Sequence, residues 1–383
     1  MARPRPAGGV GKVRIGVPRE TRHDEHRVGL TPFGAGRLVE LGHDVLVESG
    51  AGRDSHFSDE DYAARGARIV HTADEVYLGT DLVCQVGPLS AEEIDRLRPE
   101  GTICGFLHLA LAGPELVEAV EAREVSLVGY ELLQTDDGRR PLLEALSELG
   151  GQLAVHTAAQ LLTRTAGGRG LLLGGVPGIP PATVVVLGAG TAGRATARLA
   201  LAAGAHVIVM DERLDALRRT MQEVSRDVVT AVPSARNIER FCAIADVLVG
   251  AVAVPGGRSP YVVPEPIVRR MKPGSVIIDL AIDQGGCVET SRPTTLREPT
   301  YELHGVIHHC VPNLTANVPR TASRALTIAA LPWISTLAER GLEGALGEHA
   351  ALRRSLYTYR GKLVNRRAAE ALGRPWQPID RLL

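Results

Sequence analysis

The chain has 383 residues, of which 44% are hydrophobic and 23% are charged, a composition typical of a globular protein of about two domains. Lys+Arg 43 against Asp+Glu 44 leaves a net charge of -1, which provides no general attraction to nucleic acid or to a membrane surface. No uninterrupted apolar run of about 18 residues exists, so no membrane span is expected.

Five cysteines are scattered along the chain, and no two of them stand in CxxC spacing: Cys84, Cys104, Cys242, Cys287 and Cys310. An odd number without a pairing motif indicates reduced thiols, which predicts a cytoplasmic protein. The opening MARPRPAGGVGK is basic, but no apolar run follows it. We therefore expect residues 1–12 to form a disordered tail rather than a signal peptide.

Short β-branched runs alternate with helical patterns in the first part of the chain. Helix starts are visible where Thr31 precedes Pro32 and where Ser90 stands three residues before Glu93 in capping-box spacing. Strand–helix–strand alternation predicts a parallel sheet with helices on both faces. The predicted strands are VRIGVP (13–18), HDVLVES (43–49), DLVCQV (81–86), TICGFLH (102–108) and SLVGYE (126–131).

A second series of strands follows an amphipathic helix at about 147–164. It would complete a six-strand doubly wound set. The predicted strands are TVVVLG (183–188), HVIVMD (206–211), a weak segment near 229–232, VLVGA (247–251), SVIIDLA (275–281) and GVIHHC (305–310).

The tail from Ala322 returns to helix in ASRALTIAALPWISTLAERG and then in AALRRSLYTYRGKLVNRRAAEAL. It is too short for a third domain, so we expect it to pack on the first. The predicted fold is therefore α/β, with two doubly wound Rossmann-like domains, parallel sheets and an active-site crevice between them. Residues 13–141 with 320–383 would form one domain, and residues 142–319 the other.

The segment VVVLGAGTAGRATARLA carries a dinucleotide-binding pattern. Gly188, Gly190 and Gly193 form G-x-G-x-x-G directly after a predicted strand and at the start of a helix. The three glycines allow a tight turn, close approach of a pyrophosphate, and close packing of helix on strand. Asp211 ends the next strand, where a carboxylate binds the ribose diol and repels a 2′-phosphate. The pattern favours NAD over NADP, although Arg213 stands nearby. Residues 142–319 would therefore be the NAD-binding domain, and residues 13–141 with 320–383 the substrate domain.

Three ionisable residues are candidates for the chemistry. Arg27 follows the first strand, where a buried guanidinium either clamps a carboxylate or pairs with Glu20 or Glu25. His108 closes the strand TICGFLH and is either a proton carrier or a structural residue. Asp283 follows another strand, where a carboxylate holds a ribose, orients a histidine or caps the loop.

The HHC run at 308–310 contains residue types that bind metals. Adjacent residues on a strand point to opposite faces, so the three cannot all ligate one ion. We therefore expect no metal site there.

Together these segments resemble the alanine dehydrogenase family, from about Val13 to nearly the end of the chain. The resemblance rests on IGVPRETRHDEHRVGLTP, FLHLA, SELGGQLA, RTAGGRGLLLGGVPGIPPATVVVLGAGTAG, GAVAVPGG, MKPGSVIIDLAIDQGGCVETSRPTT and NLTANVPRTAS. It implies NAD-dependent oxidative deamination of L-alanine to pyruvate and the reverse, in a hexamer of two-domain subunits. It also implies that C-terminal helices complete the first domain.

The resemblance also assigns expected roles to particular residues. Arg27 and Asn313 would bind substrate, and His108 and Asp283 would act as the acid/base histidine and the active-site aspartate. The residues expected to touch the cofactor are Ser147, Gly188, Gly190 and Gly193 at its phosphates and Asp211 at its adenosine ribose.

One departure from the family stands after the strand DLVCQV. The family has K-V-K-E-P here, and its second lysine binds the substrate. Aligned without gaps, this chain reads Q-V-G-P-L, so Gly87 takes the place of that lysine. The three lysines of the chain, Lys12, Lys272 and Lys362, all stand elsewhere.

Further departures fall in segments on the substrate side. LSELGGQ stands where the family has MSEVAGR, and NLTANVP where it has NMPGAVP. Cofactor residues are kept while substrate residues change, which favours an NAD-dependent dehydrogenase for an amino acid or imine other than alanine. Three alternatives stay open: an ordinary but slow alanine dehydrogenase, an opine- or saccharopine-type enzyme that joins an amine to a keto acid, and a catalytically silent NAD-binding homologue.

Overall fold

A computed structural model describes residues 11–252 and 259–383 of the chain. It divides into unit 1, Met1–Leu146 with Val318–Leu383, and unit 2, Ser147–Asn317. Of the predicted tail, residues 1–10 lie outside the described residues, and Lys12 pairs with Asp44 at 2.7 Å. No helix within 11–252 or 259–383 has both the length and the apolarity that a bilayer span requires.

Unit 1 contains an eight-stranded sheet in the order β15-β14-β6-β5-β4-β1-β2-β3. Six strands are parallel, and their order 3-2-1-4-5-6 is that of a doubly wound fold. Their bounds are β1 Arg14–Val17, β2 Asp44–Glu48, β3 Arg68–Val70, β4 Leu82–Cys84, β5 Thr102–Gly105 and β6 Ser126–Gly129. The sequence did not predict β3.

The helices of unit 1 begin where the capping residues predict. Thr31 is the N-cap of the first helix, with Pro32 in its first turn. The Ser90 hydroxyl accepts the Glu93 N–H at 3.2 Å and Glu93 accepts the Ser90 N–H at 2.8 Å, which completes a capping box. The helices are α1 Pro32–Glu40, α2 Asp59–Ala63, α3 Ala73–Tyr77, α4 Ala91–Arg96, α5 Pro114–Ala122 and α6 Pro141–Leu161, whose residues from Ser147 onward belong to unit 2.

Unit 2 contains a seven-stranded sheet in the order β12-β13-β11-β10-β7-β8-β9. Its strands are β7 Thr183–Leu187, β8 His206–Met210, β9 Val229–Ala231, β10 Val247–Gly250, β11 Val276–Asp279, β12 Thr300–Leu303 and β13 Val306–His309. Its own helices are α7 Thr191–Ala202, α8 Leu214–Glu223, α9 Ala235–Ile244 and α10 Glu265–Val268. Only β12, which the sequence did not predict, is antiparallel to its neighbour.

The end of the chain differs from the helical expectation. After α11 Pro319–Glu348 and α12 Ala350–Ser355, the chain forms the hairpin β14 Leu356–Tyr359 and β15 Lys362–Leu363, followed by α13 Arg366–Leu372. Arg360 and Gly361 both have positive φ, which suits a two-residue hairpin turn between alternating β-formers. β14 pairs antiparallel with β6, so the tail completes the sheet of unit 1.

Both faces of the unit 2 sheet are covered by apolar side chains, as a doubly wound fold requires. Val184 and Val186 point into one buried cluster, and Val185 and Leu187 into another. All five cysteines are buried and free. The predicted α/β class with mostly parallel sheets is confirmed.

Candidate functional site

The candidate substrate residues of unit 1 follow three adjacent strands. Arg27, Gly87 and His108 come after β1, β4 and β5, which are hydrogen-bonded neighbours in parallel register. The carboxyl ends of parallel strands meet at one edge of a sheet, where ligands bind in doubly wound folds. The sheet therefore brings these three positions to the same edge.

Arg27 forms an ion pair with Glu25, one of the two partners that the sequence allowed. Its Nε donates to Glu25 Oε1 at 2.7 Å and its Nη2 to Oε2 at 2.6 Å. Both side chains are buried, with 2% and 5% exposed. The pair uses two of the five guanidinium N–H donors and fixes the orientation of the fork. A cavity of about 270 Å³ lies against this pair and is lined also by Glu20, Arg53 and Asp54.

His108 lies three residues beyond the end of β5, not within the strand as predicted. It has a left-handed backbone, with φ 45°. Its N–H donates to Glu131 Oε1 at 2.6 Å, and its Nδ1 lies 3.7 Å from the same oxygen. The side chain is half-buried, so the ring keeps an exposed side on which a proton can be exchanged.

Glu131, which holds the His108 backbone, is itself held by the C-terminal hairpin. The Tyr357 hydroxyl on β14 donates to Glu131 Oε1 at 2.7 Å. Glu131 Oε2 is buried and has no hydrogen-bond partner among the described residues. Burial beside this carboxylate raises the pKa of Tyr357 far above its usual range, so the phenol stays a donor. The tail thus orients a histidine more than two hundred residues earlier.

The backbone conformation at position 87 does not require glycine. The φ of Gly87 is not positive, in contrast to many other glycines of the chain. A Cβ built on it would lie 3.5 Å from Glu20 Oε2 and 3.6 Å from Arg22 Cδ, both ordinary van der Waals separations. A Cβ would therefore fit at this position without strain, so neither the backbone nor close packing explains why glycine stands here.

Glu20 lies under the Gly87 loop. Its Oε1 accepts the Val86 N–H at 2.6 Å and its Oε2 the Gly87 N–H at 3.4 Å. Burial, reinforced by the charge of Glu25, raises the pKa of Glu20 to about 7. At neutral pH this carboxyl is therefore divided between its protonated and charged forms.

In unit 2 the predicted phosphate loop has the geometry that its glycines imply. Gly188 has φ 99°, and a Cβ on it would lie 2.5 Å from the Ala251 carbonyl oxygen. A Cβ on Gly193 would overlap the Gly188 carbonyl oxygen, so helix α7 can pack here only with glycine. Nothing lies within 4 Å of a Cβ position on Gly190, the N-cap of α7. This open space at a helix N-terminus fits a pyrophosphate.

Asp211 lies beyond the end of β8 and is tied to the same loop. Its Oδ2 accepts the Ala189 N–H at 2.7 Å and its Oδ1 accepts the Arg213 N–H at 2.8 Å. The Arg213 Nε lies 3.6 Å from Oδ1. The carboxylate thus braces the glycine loop with one hydrogen bond and the start of α8 with the other, and each oxygen has a further lone pair with which it could accept from a ligand.

Ser147 lies on α6, whose next turns pack closely on α7. The Gly151 carbonyl accepts from the Thr196 hydroxyl at 3.1 Å, and a Cβ on Gly151 would overlap Ala192. The partly exposed Ser147 is thereby carried on a helix that touches the helix following the glycine loop.

Asp283 and Asn313 meet in unit 2. They follow the neighbouring strands β11 and β13, and the Asn313 N–H donates to Asp283 Oδ1 at 3.0 Å. Asp279, which the sequence did not single out, anchors the IDQGG loop by accepting the Ala281 N–H at 3.0 Å and the Cys287 N–H at 2.9 Å. Both Asp283 and Asn313 are exposed at this strand edge.

The two histidines of the HHC run are buried in β13. His308 binds the Thr290 hydroxyl at 2.8 Å and the Val306 carbonyl at 3.0 Å. Burial lowers the pKa of both, that of His309 to about 4, so both are neutral at pH 7. No cluster of metal-binding side chains occurs within residues 11–252 and 259–383.

The sequence analysis singled out neither Glu131, Tyr357 nor Asp279, and it named Glu20 only as a possible partner of Arg27. Glu20 follows the first predicted strand and Glu131 is the last residue of another, positions that could have marked them. Tyr357 gave no such signal, because it was read as part of a helix.

The glycine loop on one doubly wound sheet, with arginine and histidine at the strand ends of another, defines an oxidoreductase of the Rossmann type. Family models match both parts of the chain: Alanine dehydrogenase/PNT, N-terminal domain, over residues 16–150, and Alanine dehydrogenase/PNT, C-terminal domain, over residues 154–366. The chain belongs to the alanine dehydrogenase/PNT family, which confirms the resemblance.

Individual relatives agree. The chain is 44% identical over 364 residues to alanine dehydrogenase of Mycobacterium tuberculosis, covering 95% of this chain and 98% of the relative. It is 42% identical over 369 residues to alanine dehydrogenase of Mycolicibacterium smegmatis, covering 96% and 99%. A solved L-alanine dehydrogenase structure matches with a TM-score of 0.89 at 39% identity, covering 94% of this chain and 99% of that one.

Proposed function

We propose that the protein is an NAD-dependent amino acid dehydrogenase that deaminates an L-amino acid to a 2-oxo acid, and catalyses the reverse, with a preferred substrate other than alanine. Bound NAD would supply the hydride acceptor. Gly188, Gly190 and Gly193 would hold its pyrophosphate against the N-terminus of α7, with Ser147 near the phosphates. Asp211 would bind the adenosine ribose, and its charge would oppose the 2′-phosphate of NADP.

The polar residues of the strand ends would handle the substrate. Arg27, with its fork fixed by Glu25, would bind the substrate carboxylate. His108 would take and return the proton that accompanies hydride transfer, while Glu131 holds its backbone. Asp283 would act as the active-site aspartate, and Asn313, whose backbone N–H holds Asp283, would bind substrate.

One observation supports a substrate other than alanine: a Cβ at position 87 would make only ordinary van der Waals contacts. A lysine at this position would meet no steric obstacle at its Cβ, so its absence is not explained by folding. A lysine that faces a small keto acid polarises the carbonyl as charge develops in the transition state. Without it, the reaction with pyruvate loses a charge-assisted hydrogen bond, which is worth roughly 1.5–3 kcal/mol.

A second candidate is ordinary alanine dehydrogenase activity. It is favoured by the 44% identity to a named alanine dehydrogenase over 95% of the chain. If this candidate is correct, another group polarises the substrate carbonyl in place of the lysine.

Steady-state kinetics separate the two candidates. The unmutated protein and Gly87→Lys would be assayed with alanine plus NAD, and with pyruvate, ammonium and NADH, beside a panel of other amino acids and 2-oxo acids. We expect weak alanine turnover, about 10–150-fold below the best substrate of the panel, and a gain on pyruvate in Gly87→Lys. Alanine turnover at ordinary enzyme rates by the unmutated protein would establish the second candidate instead.

We also propose a cytoplasmic homo-oligomer, a hexamer by resemblance to the family. The free buried cysteines support a reducing compartment. Light scattering of the purified protein would test the hexamer.

A further inference from the structure

Arg22 lies beside the position that Gly87 leaves open. A Cβ on Gly87 would be 3.6 Å from Arg22 Cδ and 4.0 Å from Arg22 Nη1. The guanidinium therefore occupies the region into which a side chain at position 87 would begin to extend. It reaches this region from the loop after β1, the same loop that carries Arg27.

The Arg22 guanidinium is available to a ligand. It has no hydrogen-bonded or ion-paired side-chain partner among residues 11–252 and 259–383, and it is exposed. Two of the three lysines are engaged elsewhere, Lys12 with Asp44 at 2.7 Å and Lys272 with Asp246 at 2.9 Å.

Glu20, which also lies beside Gly87, forms no ion pair with Arg22. Glu20 directs its two oxygens to the backbone N–H groups of Val86 and Gly87. Its raised pKa of about 7 leaves it partly protonated at neutral pH. The Arg22 guanidinium therefore keeps its donors beside Gly87, where the family lysine is absent.

We propose that Arg22 is a substrate-binding residue, which holds the carboxylate of the 2-oxo acid together with Arg27 and does so from the region beside Gly87 where the family lysine is absent. This rests on the proposed function for the identity of the ligand. The guanidinium is a planar fork that binds a carboxylate through two parallel hydrogen bonds, whereas an ammonium acts as a point charge. Arg22 reaches this region from the loop after β1, whereas the family lysine would extend from the loop after β4. The guanidinium donors would therefore approach the substrate from another direction, which would alter the preferred substrate.

The test compares six proteins: unmutated, Arg22→Ala, Arg22→Lys, Gly87→Lys, Arg22→Ala with Gly87→Lys, and Arg68→Ala. Arg68 is an exposed arginine on the edge strand β3, so its removal controls for the loss of one surface charge. Two experiments would be done. Calorimetry with NAD present gives the Kd of oxalate, an anion that mimics a 2-oxo acid, and steady-state kinetics gives KM and kcat with the best 2-oxo acid of the panel. NADH affinity would be measured as a check on folding.

We expect Arg22→Ala to weaken oxalate binding and raise KM by about 10–150-fold, with NADH affinity unchanged. Arg22→Lys should recover part of the loss, and the double variant should bind oxalate more tightly than Arg22→Ala, because Gly87→Lys restores a cation. Arg68→Ala should match the unmutated protein. An Arg22→Ala protein that binds oxalate like Arg68→Ala overturns the proposal, and so does an unmutated protein that does not bind oxalate. Absence of turnover with every panel substrate, together with an oxalate loss in Arg22→Ala, would refute the proposed function and leave Arg22 as an anion-binding residue.

Discussion

Gly193 lies in the first turn of α7 and Gly87 in the loop after β4, and the two positions differ in whether they require glycine. At Gly193 a Cβ would overlap the backbone of Gly188, whereas at Gly87 it would touch side chains at 3.5 Å or more. The glycine loop of unit 2 is thus dictated by how closely helix and strand must approach. The strand edge of unit 1 carries no such constraint, so its chemistry can change while the fold stays the same. Under the proposed function, cofactor binding would therefore depend on a constrained loop and substrate choice on an unconstrained one.

The largest expected effect comes from the acid/base candidate of unit 1. His108→Ala should lower turnover on the true substrate by roughly 10²–10⁴, because no other group then carries the proton. NADH binding, which depends on unit 2, should be unchanged. His71→Ala, a change at an exposed histidine of unit 1, is the control. Wild-type turnover by His108→Ala would return this histidine to a structural role.

The two glycines themselves give the next prediction. Gly193→Ala should cost about 3 kcal/mol of unfolding free energy and weaken NADH binding, because α7 must shift away from β7. Gly87→Ala should change the unfolding free energy by no more than about 0.5 kcal/mol. Urea unfolding and calorimetric titration of NADH measure both. Equal losses in the two variants would contradict the distinction between a required and a permitted glycine.

Glu20 adds a pH dependence confined to unit 1. Its pKa is raised from 4.5 to about 7, so the folded state holds a proton that the unfolded state releases between these values. Its stabilising contribution is complete below pH 4.5 and is lost as the pH rises through about 7. After allowance for partial exposure, this loss is roughly 2 kcal/mol.

The variant Glu20→Gln keeps an oxygen for the Val86 N–H but cannot ionise. Between pH 5 and pH 8 it should lose less unfolding free energy than the unmutated protein, whereas Glu121→Gln, at an exposed site on α5, should behave like the unmutated protein. Parallel curves for Glu20→Gln and the unmutated protein would show that Glu20 titrates normally.

The smallest effect concerns the choice of cofactor in unit 2. NAD should bind at least about tenfold tighter than NADP, since the charge of Asp211 opposes a 2′-phosphate. Asp211→Asn keeps the hydrogen-bond geometry without the charge and should narrow this difference. Calorimetry with both cofactors decides the point, and equal affinities for the unmutated protein would remove the proposed role of Asp211.

The sequence by itself determined the class of fold, the glycine loop and the strand ends that carry the candidate residues. These are local properties: a β-branched run, a capping residue or a G-x-G-x-x-G spacing has the same consequence wherever it occurs. The sequence places His108 at the end of a strand, whereas it lies three residues beyond β5. The difference arises because the residue at which a strand ends depends on its hydrogen bonds to the neighbouring strand.

Which side chains interact across separate loops and strands could be learned from the tertiary structure alone. The pairing of Arg27 with Glu25, the support of His108 by Glu131 and Tyr357, and the approach of Arg22 to Gly87 join separate loops and strands. The hairpin that supplies Tyr357 was mistaken for helix, because its strands gain their hydrogen bonds from β6, far away in the chain. Whether a position requires glycine depends on which atoms lie around its Cα. Those atoms come from segments distant in the chain, so the sequence pattern around the glycine does not reveal them.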